Sequence, residues 1–269
     1  MKTALSIAGS DPSGGAGIQA DIKTMTLNGV YAMSVVTAMT AQNTKGVSAI
    51  LETDADFLGE ELDAVFEDIF PDAVKIGMAA SKRIIEKTAE KLSFYNAKNI
   101  VADPVMIATS GATLIGREAV FALKEKLLPL ADLITPNIPE AEALSGTDIN
   151  NEYDMIKAAE KLSRELGCSV LIKGGHRKDS ADDILFCDGR VVFSEAKGSA
   201  IQTPTASVVH CHRLLRQILQ RDTRLKKQSN EQKSTFRECL RQDLTSGAAR
   251  DRSITHLTST ADFQTDIIH

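Results

Sequence analysis

The chain of 269 residues is long enough to bury the core of one full domain. Hydrophobic residues make up 43% and charged residues 25%, an ordinary globular composition, and no apolar run approaches the roughly 20 residues that span a bilayer. The net charge of −5 gives no reason to expect nucleic acid as a partner. The four cysteines show neither metal-ligand nor disulfide spacing, and the N-terminal sequence shows no signal-peptide pattern. We therefore expect a cytoplasmic protein with no membrane partner.

A glycine-rich turn joins the first predicted strand to the first predicted helix. Residues 4–8 are apolar and predict a buried strand, and residues 18–27 have apolar positions near helical spacing. Residues 9–17 between them read Gly-Ser-Asp-Pro-Ser-Gly-Gly-Ala-Gly, which leaves few side chains to block a ligand from the backbone. Taken alone, these glycines fit a tight turn as well as a ligand-binding loop. They match neither the dinucleotide fingerprint nor a Walker loop.

Apolar runs alternate with helical patterns along the rest of the chain. Strands are predicted at residues 30–38, 73–76, 99–102, 133–135 and 169–173, and helices at 57–69, 84–92, 119–127 and 156–166. The first of these helices has its apolar face on Phe57, Leu58, Leu62, Val65, Phe66 and Ile69, with Asp54 or Asp56 as its N-cap. Residues 184–187 and 191–193, separated by Asp188-Gly189, predict an antiparallel hairpin at the sheet edge. The alternation predicts an α/β fold, a three-layer arrangement with a largely parallel sheet and helices on both faces.

Candidate site residues lie at or just past the carboxyl ends of the predicted strands, where open α/β sheets bind their ligands. They are the loop at residues 9–17 and Gln42, Met78, Asp103, Asn137 and Lys173. This shared position predicts that they line one cleft.

Asn137 and Glu140 form an Asn-x-x-Glu pattern where a strand leads into a helix. The spacing favours a helix N-cap with a capping box, although it can also direct the amide and the carboxylate toward one metal ion. Asp103 fits either a turn cap or magnesium–phosphate chemistry. Lys173 fits either a solvated lysine or a phosphate contact, and we expect His176 to be structural or peripheral.

Six segments together resemble the hydroxymethylpyrimidine/phosphomethylpyrimidine kinases of the ribokinase-like superfamily, in that family's order and approximate spacing over residues 1 to about 203. They are residues 7–23, Thr40-Ala41-Gln42-Asn43-Thr44, Lys75-Ile76-Gly77-Met78, Asp103-Pro104-Val105-Met106, Thr135-Pro136-Asn137-Ile138-Pro139-Glu140-Ala141-Glu142 and Lys173-Gly174-Gly175-His176. The resemblance implies a ribokinase-like kinase that uses ATP and Mg²⁺ in thiamine biosynthesis. It also implies a small pyrimidine substrate and a homodimer.

The resemblance also assigns roles to individual residues. It implies that Asn137 and Glu140 hold the Mg²⁺–phosphate assembly, usually through water, and that Asp103 and Lys173 contact the ATP phosphates. It implies that the pyrimidine slot is formed by Ala16, Gln42 and Met78, and that Asp21 fixes the loop or contacts the substrate. Met78 also fits plain core and Asp21 a helix-surface aspartate.

Two other functions stay open from the sequence. A pyridoxal or pyridoxine kinase of the same superfamily is the alternative enzyme, although residues 40–44 and Met78 favour the pyrimidine kinase. A non-catalytic remnant that at most binds ligand is the alternative from another class.

The chain departs from the family after Thr203. Residues 205–269 carry 11 lysines and arginines against 7 acids, whereas residues 1–204 carry 20 against 29. The family has a segment resembling Thr-His-Gly-Thr-Gly-Cys-Thr-Leu-Ser here, whose backbone N–H groups form an anion hole and whose Cys is a candidate catalytic residue. Codons compatible with Thr205 onward, read one base earlier, can encode His-Gly-Ile-Gly-Cys-Thr-Leu-Ser, so Cys211 is not that cysteine.

We therefore predict an incomplete kinase domain over residues 1–203 and an out-of-frame, partly disordered tail over residues 204–269. No catalytic residue is identified in the chain, since the anion-hole glycines and cysteine are missing. We expect this chain to be inactive as a kinase.

Overall fold

The computed structural model describes residues 1–106, 115–174 and 183–194. The strands in these ranges are β1 (Thr3–Ala8), β2 (Tyr31–Val36), β3 (Ala38–Asn43), β4 (Gly46–Glu52), β5 (Ala73–Ile76), β6 (Ile100–Ala102), β7 (Leu133–Ile134), β8 (Ser169–Ile172), β9 (Asp183–Cys187) and β10 (Arg190–Ser194). The α-helices are α1 (Gly17–Leu27), α2 (Ala55–Asp68), α3 (Lys82–Phe94), α4 (Arg117–Ala122), α5 (Ile138–Ser145) and α6 (Glu152–Leu166). No helix in these ranges is long and apolar enough to cross a membrane.

Most strands form one sheet in the order β10-β9-β8-β7-β6-β5-β1-β2. The pairs from β8 to β2 are parallel, and the β9–β10 hairpin adds two antiparallel strands at one edge. In the register of β1, Ala4 lies opposite Ala32 of β2 and Ala73 of β5. The predicted largely parallel sheet with an edge hairpin is confirmed.

Helices pack on both faces of this sheet. One core joins α2, α3, α4, α5 and α6 to sheet residues such as Leu5 and Ile76, and the other joins Met25 of α1 to residues such as Ala4 and Ala73. Neighbouring strand residues serve opposite faces because side chains alternate along a strand. Both layers hold the strand ends in fixed positions.

Side-chain caps explain where two of the helices begin. Asp54 accepts hydrogen bonds from the backbone of Asp56 at 2.9 Å and of Phe57 at 3.3 Å, so it is the N-cap of α2. Asn151 accepts from Asp154 N at 3.0 Å and starts α6 at Glu152, before the predicted residue 156.

Three sequence predictions need correction. Residues 30–38 do not form one strand, because β2 ends before Thr37 and a new strand, β3, begins after it. The strands β3 and β4 form a separate two-stranded antiparallel sheet, here called the ribbon. Phe57 is 56% exposed, so it does not belong to the buried face of α2. The predicted helix at 119–127 is α-helical only to Ala122 and continues as a π-helical turn over Leu123–Leu127.

Two predictions concern parts of the chain outside the described residues. These are the interpretation of His176 and the interpretation of residues 204–269 as an out-of-frame tail, including Cys211. Both stay predictions.

Candidate active site

The glycine-rich loop is held by one carboxylate, that of Asp11. It accepts hydrogen bonds from Ser13 N at 2.9 Å, Ser13 Oγ at 2.7 Å, Gly15 N at 3.0 Å and Ala16 N at 2.8 Å. Burial raises the pKa of Asp11, but the bonds from Ser13, Ala16 and Gly15 outweigh burial and lower the pKa below its ordinary value. Asp11 therefore stays ionised and fixes the loop.

Gly17 lets the loop enter α1. Its φ is +57°, and a Cβ there would lie 2.2 Å from the backbone oxygen of Gly9. Only glycine fits this position, both by its backbone conformation and by space.

The ribbon and Met78 lie beside the loop. Ser10 N donates to Ala38 O at 2.8 Å, and Thr40 Oγ1 donates to Ser10 O at 2.8 Å. A Cβ on Gly9 would lie 2.7 Å from Met78 Cε, so the Met78 side chain packs against the loop backbone. The three residues implied for the pyrimidine slot thus belong to neighbouring segments: Ala16 in the loop, Gln42 on the ribbon and Met78 after β5. All three are half-buried.

Gln42 and Asp21 differ in their surroundings. Gln42 Oε1 accepts a hydrogen bond from Thr40 Oγ1 at 3.2 Å, within the ribbon. Asp21 is fully buried, accepts from Ser6 Oγ, and forms an ion pair with Lys75 Nζ at 2.8 Å. In the part of the chain that the structure describes, Asp11 fixes the loop and Asp21 ties α1 to the sheet. A substrate contact of Asp21 stays a prediction.

The remaining candidate residues follow the carboxyl ends of the sheet strands, and two of them extend the backbone hydrogen bonding of the sheet. Asp103 N donates to Ile76 O at 2.9 Å, and Lys173 N donates to Pro136 O at 2.9 Å, each in the pattern of the parallel ladder. Because β5, β6, β7 and β8 are neighbours, Met78, Asp103, Asn137 and Lys173 form a row along one edge. The strands that carry them lie about 4.8 Å from their neighbours.

Asp103 and Lys173 form an ion pair across this row. Lys173 Nζ lies 2.8 Å from Asp103 Oδ1, and their side chains are 16% and 12% exposed. The pair bridges the ends of β6 and β8 across β7 and is partly open to solvent. Lys173 can therefore exchange Asp103 for an anionic ligand.

Glu140 lies beside this pair at the start of α5. Its N–H donates to Asn137 Oδ1 at 2.9 Å, and its Oε2 accepts from Asn137 N at 2.9 Å, which completes the capping box. Its Oε1 also accepts from Met106 N at 3.3 Å. The capping interpretation is confirmed, and a metal-binding role for the same two residues stays a prediction.

The carboxyl of Glu140 is unusually hard to ionise. Burial, reinforced by repulsion from Asp103, raises its pKa to about 7, against the opposing effects of Lys173 and the two backbone donors. A buried carboxyl that titrates near neutrality beside a second carboxylate and a lysine is typical of a functional site.

Sequence reasoning missed two residues of this site. The signal for Asp11 was present, since Asp two positions before Ser favours a local turn closed by the carboxylate. Thr37, which joins β2 to the ribbon, had no signal, because its hydrogen-bond partners come from distant segments.

Comparison with known proteins defines the class. A family model described as phosphomethylpyrimidine kinase matches residues 11–207. A hydroxymethylpyrimidine/phosphomethylpyrimidine kinase from Haemophilus influenzae is 44% identical over 212 residues, covering 79% of this chain and 78% of that protein. The corresponding kinase from Escherichia coli is 48% identical over 186 residues, covering 68% and 70%. A bifunctional thiamine biosynthesis protein from Geobacter sulfurreducens is 55% identical over 184 residues, and the chain spans only 37% of its length.

Solved structures agree with the family match. A phosphomethylpyrimidine kinase from Clostridium difficile superposes with a TM-score of 0.72 at 43% identity, covering 83% of this chain and 100% of that one. A Bacillus subtilis pyridoxal kinase solved with ADP superposes with a TM-score of 0.71 at 37% identity, covering 82% and 84%. The fold is that of a ribokinase-like small-molecule kinase, for which ATP is the phosphate donor. The chain belongs to the phosphomethylpyrimidine kinase family.

Proposed function

We propose that this site is built to bind 4-amino-5-hydroxymethyl-2-methylpyrimidine, and then its monophosphate, for phosphorylation by ATP. The observation that supports the proposal is the row at the carboxyl edge of the sheet. Met78, on the acceptor side, and Asp103, on the donor side, follow adjacent strands, so the two ligands would meet over β5 and β6. Phosphoryl transfer depends mainly on this kind of positioning and on charge stabilisation.

On the acceptor side, the loop, Gln42 and Met78 would bind the pyrimidine. Met78 would supply the apolar wall and Gln42 a donor and an acceptor for the polar edge of the ring. The hydroxymethyl oxygen would attack the γ-phosphorus, the bond to the bridging oxygen of ADP would break, and the hydroxyl proton would leave. We assign no residue of this chain to that proton transfer.

On the donor side, Lys173 would exchange Asp103 for a phosphate oxygen of ATP. Magnesium, when bound, neutralises charge on the transferring group. Asn137 and Glu140 would hold this ion, with the Asp103 carboxylate beside them, because Mg²⁺ in kinase sites takes one or two carboxylates and completes its shell with waters and phosphate oxygens. Accordingly, no cluster of three or more metal-binding side chains is needed, and none occurs among the described residues.

We further propose that this chain does not catalyse the phosphorylation. The proposal is supported by the sequence after Thr203, where the family's anion-hole segment is absent in frame, and by the family match, which ends at residue 207 of 269. Donors aimed at developing negative charge commonly contribute about 10²–10³ in rate, so their loss would leave a ligand-binding protein.

Pyridoxal phosphorylation is the second candidate. It is supported by the structural similarity to the Bacillus subtilis pyridoxal kinase and to a Staphylococcus aureus pyridoxal kinase solved with pyridoxal, which superposes with a TM-score of 0.69 at 31% identity. The relatives at 44–55% identity favour the pyrimidine instead.

The test is a side-by-side measurement on both substrates. The purified chain is assayed for ATP-dependent phosphorylation of the hydroxymethylpyrimidine and of pyridoxal, and binding of each is titrated calorimetrically. We expect background turnover with measurable pyrimidine binding. Rapid turnover would contradict the inactive-chain proposal, and binding of pyridoxal alone would contradict the choice of substrate.

We also propose a cytoplasmic homodimer, as the family resemblance implies. The ribbon supports the homodimer, because a two-stranded sheet is only marginally stable by itself and this one exposes apolar side chains. Met39, Val47, Ile50 and Leu51 are 55%, 41%, 46% and 63% exposed. Sedimentation of the chain beside an Ile50→Lys variant tests the proposal, since the charge should favour the monomer.

A further inference from the structure

We infer that Thr37 is a positioning residue that sets the place of Met78 against the glycine-rich loop and thereby shapes the pyrimidine slot. Its consequence for substrate binding rests on the proposed function. The underlying hydrogen-bond arrangement does not.

Each polar atom of Thr37 is bonded to a different segment of the chain. Oγ1 donates to Met78 O at 2.6 Å, and N donates to Ala8 O at 3.0 Å. The carbonyl oxygen accepts from Thr53 N at 3.1 Å. Thr37 itself is completely buried, so water has little access to its side of these bonds. It therefore joins the end of β1, the segment after β5 and the return from the ribbon.

The bond to Met78 O fixes the position of Met78, which forms the wall of the slot that faces the loop. Met78 follows β5 by two residues, and its side-chain methyl packs against the backbone of Gly9. Its carbonyl is held by the Thr37 hydroxyl, so a change at Thr37 alters the spacing between Met78 and the loop. Small shifts of this kind affect binding because the contact is already close-packed.

The other end of the ribbon holds the same segment. Glu52, the last residue of β4, accepts from Ser81 Oγ at 2.8 Å, three residues after Met78. This second bond is exposed, whereas the bond from Thr37 is partly buried and shorter. We therefore assign the main positioning role to Thr37.

Replacing Thr37 with valine tests the role, because valine has nearly the same shape and cannot donate. Losing this one hydrogen bond should weaken pyrimidine binding about three- to tenfold. ATP binding should not change, because the hydrogen bonds of Thr37 go to Met78, Ala8 and Thr53 and not to the donor-side residues. Thr37→Ser keeps the hydroxyl and should restore most of the binding.

Thr88→Val is the matched control. Thr88 is also completely buried, and its Oγ1 donates to Ile84 O at 2.7 Å within α3, away from the loop and the ribbon. If general loss of stability caused the effect of Thr37→Val, Thr88→Val would weaken pyrimidine binding similarly.

Two measurements on the full chain keep the inference testable. Calorimetry gives the affinities for the hydroxymethylpyrimidine and for ATP, and methyl NMR of ¹³C-methionine-labelled, ligand-free protein reports the Met78 resonance, assigned with Met78→Leu. We expect Thr37→Val to shift this resonance and to weaken pyrimidine binding alone, whereas Thr88→Val does neither. If Thr37→Val does not fold, Thr37→Ser and Thr37→Ala give the same comparison.

The outcomes separate the inference from the proposed function. An unchanged Met78 resonance in Thr37→Val would overturn the inference, as would equal losses of pyrimidine and ATP binding. Failure of the wild-type chain to bind the pyrimidine would overturn the proposed function, and the Met78 resonance would still decide the positioning role.

Discussion

Four hydrogen bonds converge on the carboxylate of Asp11, and they make the glycine-rich loop a defined structure. The glycines permit the loop conformation, but their presence does not select it. A carboxylate that accepts from Gly15 and Ala16 selects it, because these two backbone N–H groups just before α1 then have a fixed direction. The sequence pattern shows the loop glycines clearly, whereas the role of Asp11 is less evident from it.

Asp11→Asn is expected to loosen the loop. The amide has one acceptor oxygen instead of two, so the loss of hydrogen bonds should lower the free energy of unfolding by about 1–3 kcal/mol. Urea unfolding measures this change, and calorimetry should show weaker pyrimidine binding. Asp72→Asn is the control, since Asp72 accepts from Thr3 N at 2.9 Å and from Lys2 Nζ at 2.8 Å near the opposite end of β1. Equal effects of both variants on pyrimidine binding would contradict a local role of Asp11.

Glu140 predicts a pH dependence of stability with a definite sign. Its pKa rises from 4.5 in the unfolded chain to about 7 in the folded protein, so folding favours the protonated carboxyl. The contribution is complete below pH 4.5 and is lost as the pH rises through 7. The loss is on the order of 3 kcal/mol at most.

The variant Glu140→Gln removes this titration. We expect its free energy of unfolding, relative to wild type, to rise between pH 5 and pH 8 in urea titrations. Glu118→Gln, at an exposed position in α4, is the control and should track wild type. A wild-type pH profile parallel to that of Glu140→Gln would show that Glu140 does not titrate in this range.

Lys173→Ala removes the cation of the donor side. In a chain with an intact family segment after Thr203, or in an active homologue, we expect turnover to fall roughly 10²–10³-fold, the effect of losing one charge stabiliser. Lys161→Ala is the control, because Lys161 donates to Ser145 O at 2.6 Å away from the row. Wild-type turnover in Lys173→Ala would exclude Lys173 from the chemistry.

At the level of elements, the ribbon separates what the sequence could predict from what it could not. The sheet strands were predicted because burial on both sides makes them apolar runs, as in residues 73–76. The strand β4 is exposed throughout, so its sequence carries no core-facing pattern. The boundary at Thr37 was also invisible, since a hydrogen-bonded threonine and a strand-forming threonine look alike in sequence.

The site was predicted in a similarly uneven way. The row from Met78 to Lys173 followed from the rule that parallel strands end at one edge, which needs only the strand positions. The contacts of Asp21 with Lys75 and of Thr37 with Met78 depend on strand order. Strand order is a property of the folded sheet that one sequence does not reveal.

Gln42→Leu tests the ribbon as a wall of the slot. Leucine fills the same space but leaves the polar edge of a bound pyrimidine without partners, at a cost of ~1–3 kcal/mol in binding. Calorimetry should show weaker pyrimidine binding with ATP binding unchanged. Ser48→Ala, which removes another ribbon hydrogen bond, from Ser48 Oγ to Ala41 O at 2.9 Å, is the control. Equal loss of pyrimidine and ATP binding would mean that Gln42 supports the fold.

For the whole molecule, the reading frame after Thr203 is expected to decide activity. A chain encoded with the one-base shift reversed before Thr205 would regain the Gly-Ile-Gly-Cys segment, and with it donors for the transferring phosphoryl group. We expect the restored chain to phosphorylate the pyrimidine and the present chain to stay at background in the same assay. Resequencing the gene across the codons for Gln202 to Ala206 is the direct check. An unshifted frame together with robust activity of the present chain would contradict the proposal.

The row of site residues also divides the gene into two blocks. Every acceptor-side residue, from the loop at residues 9–17 to Met78, is encoded before the end of α3, and every donor-side residue, from Asp103 to Lys173, after it. The two blocks meet at the β5–β6 pair, in the register Val74–Ile100, and where α3 packs against α4 and the π-helical turn. A single genetic crossover in the turn between α3 and β6 would therefore exchange the acceptor side between related kinases and leave the nucleotide side intact. If the proposed function holds, such an exchange would change the accepted substrate and keep ATP as the phosphate donor.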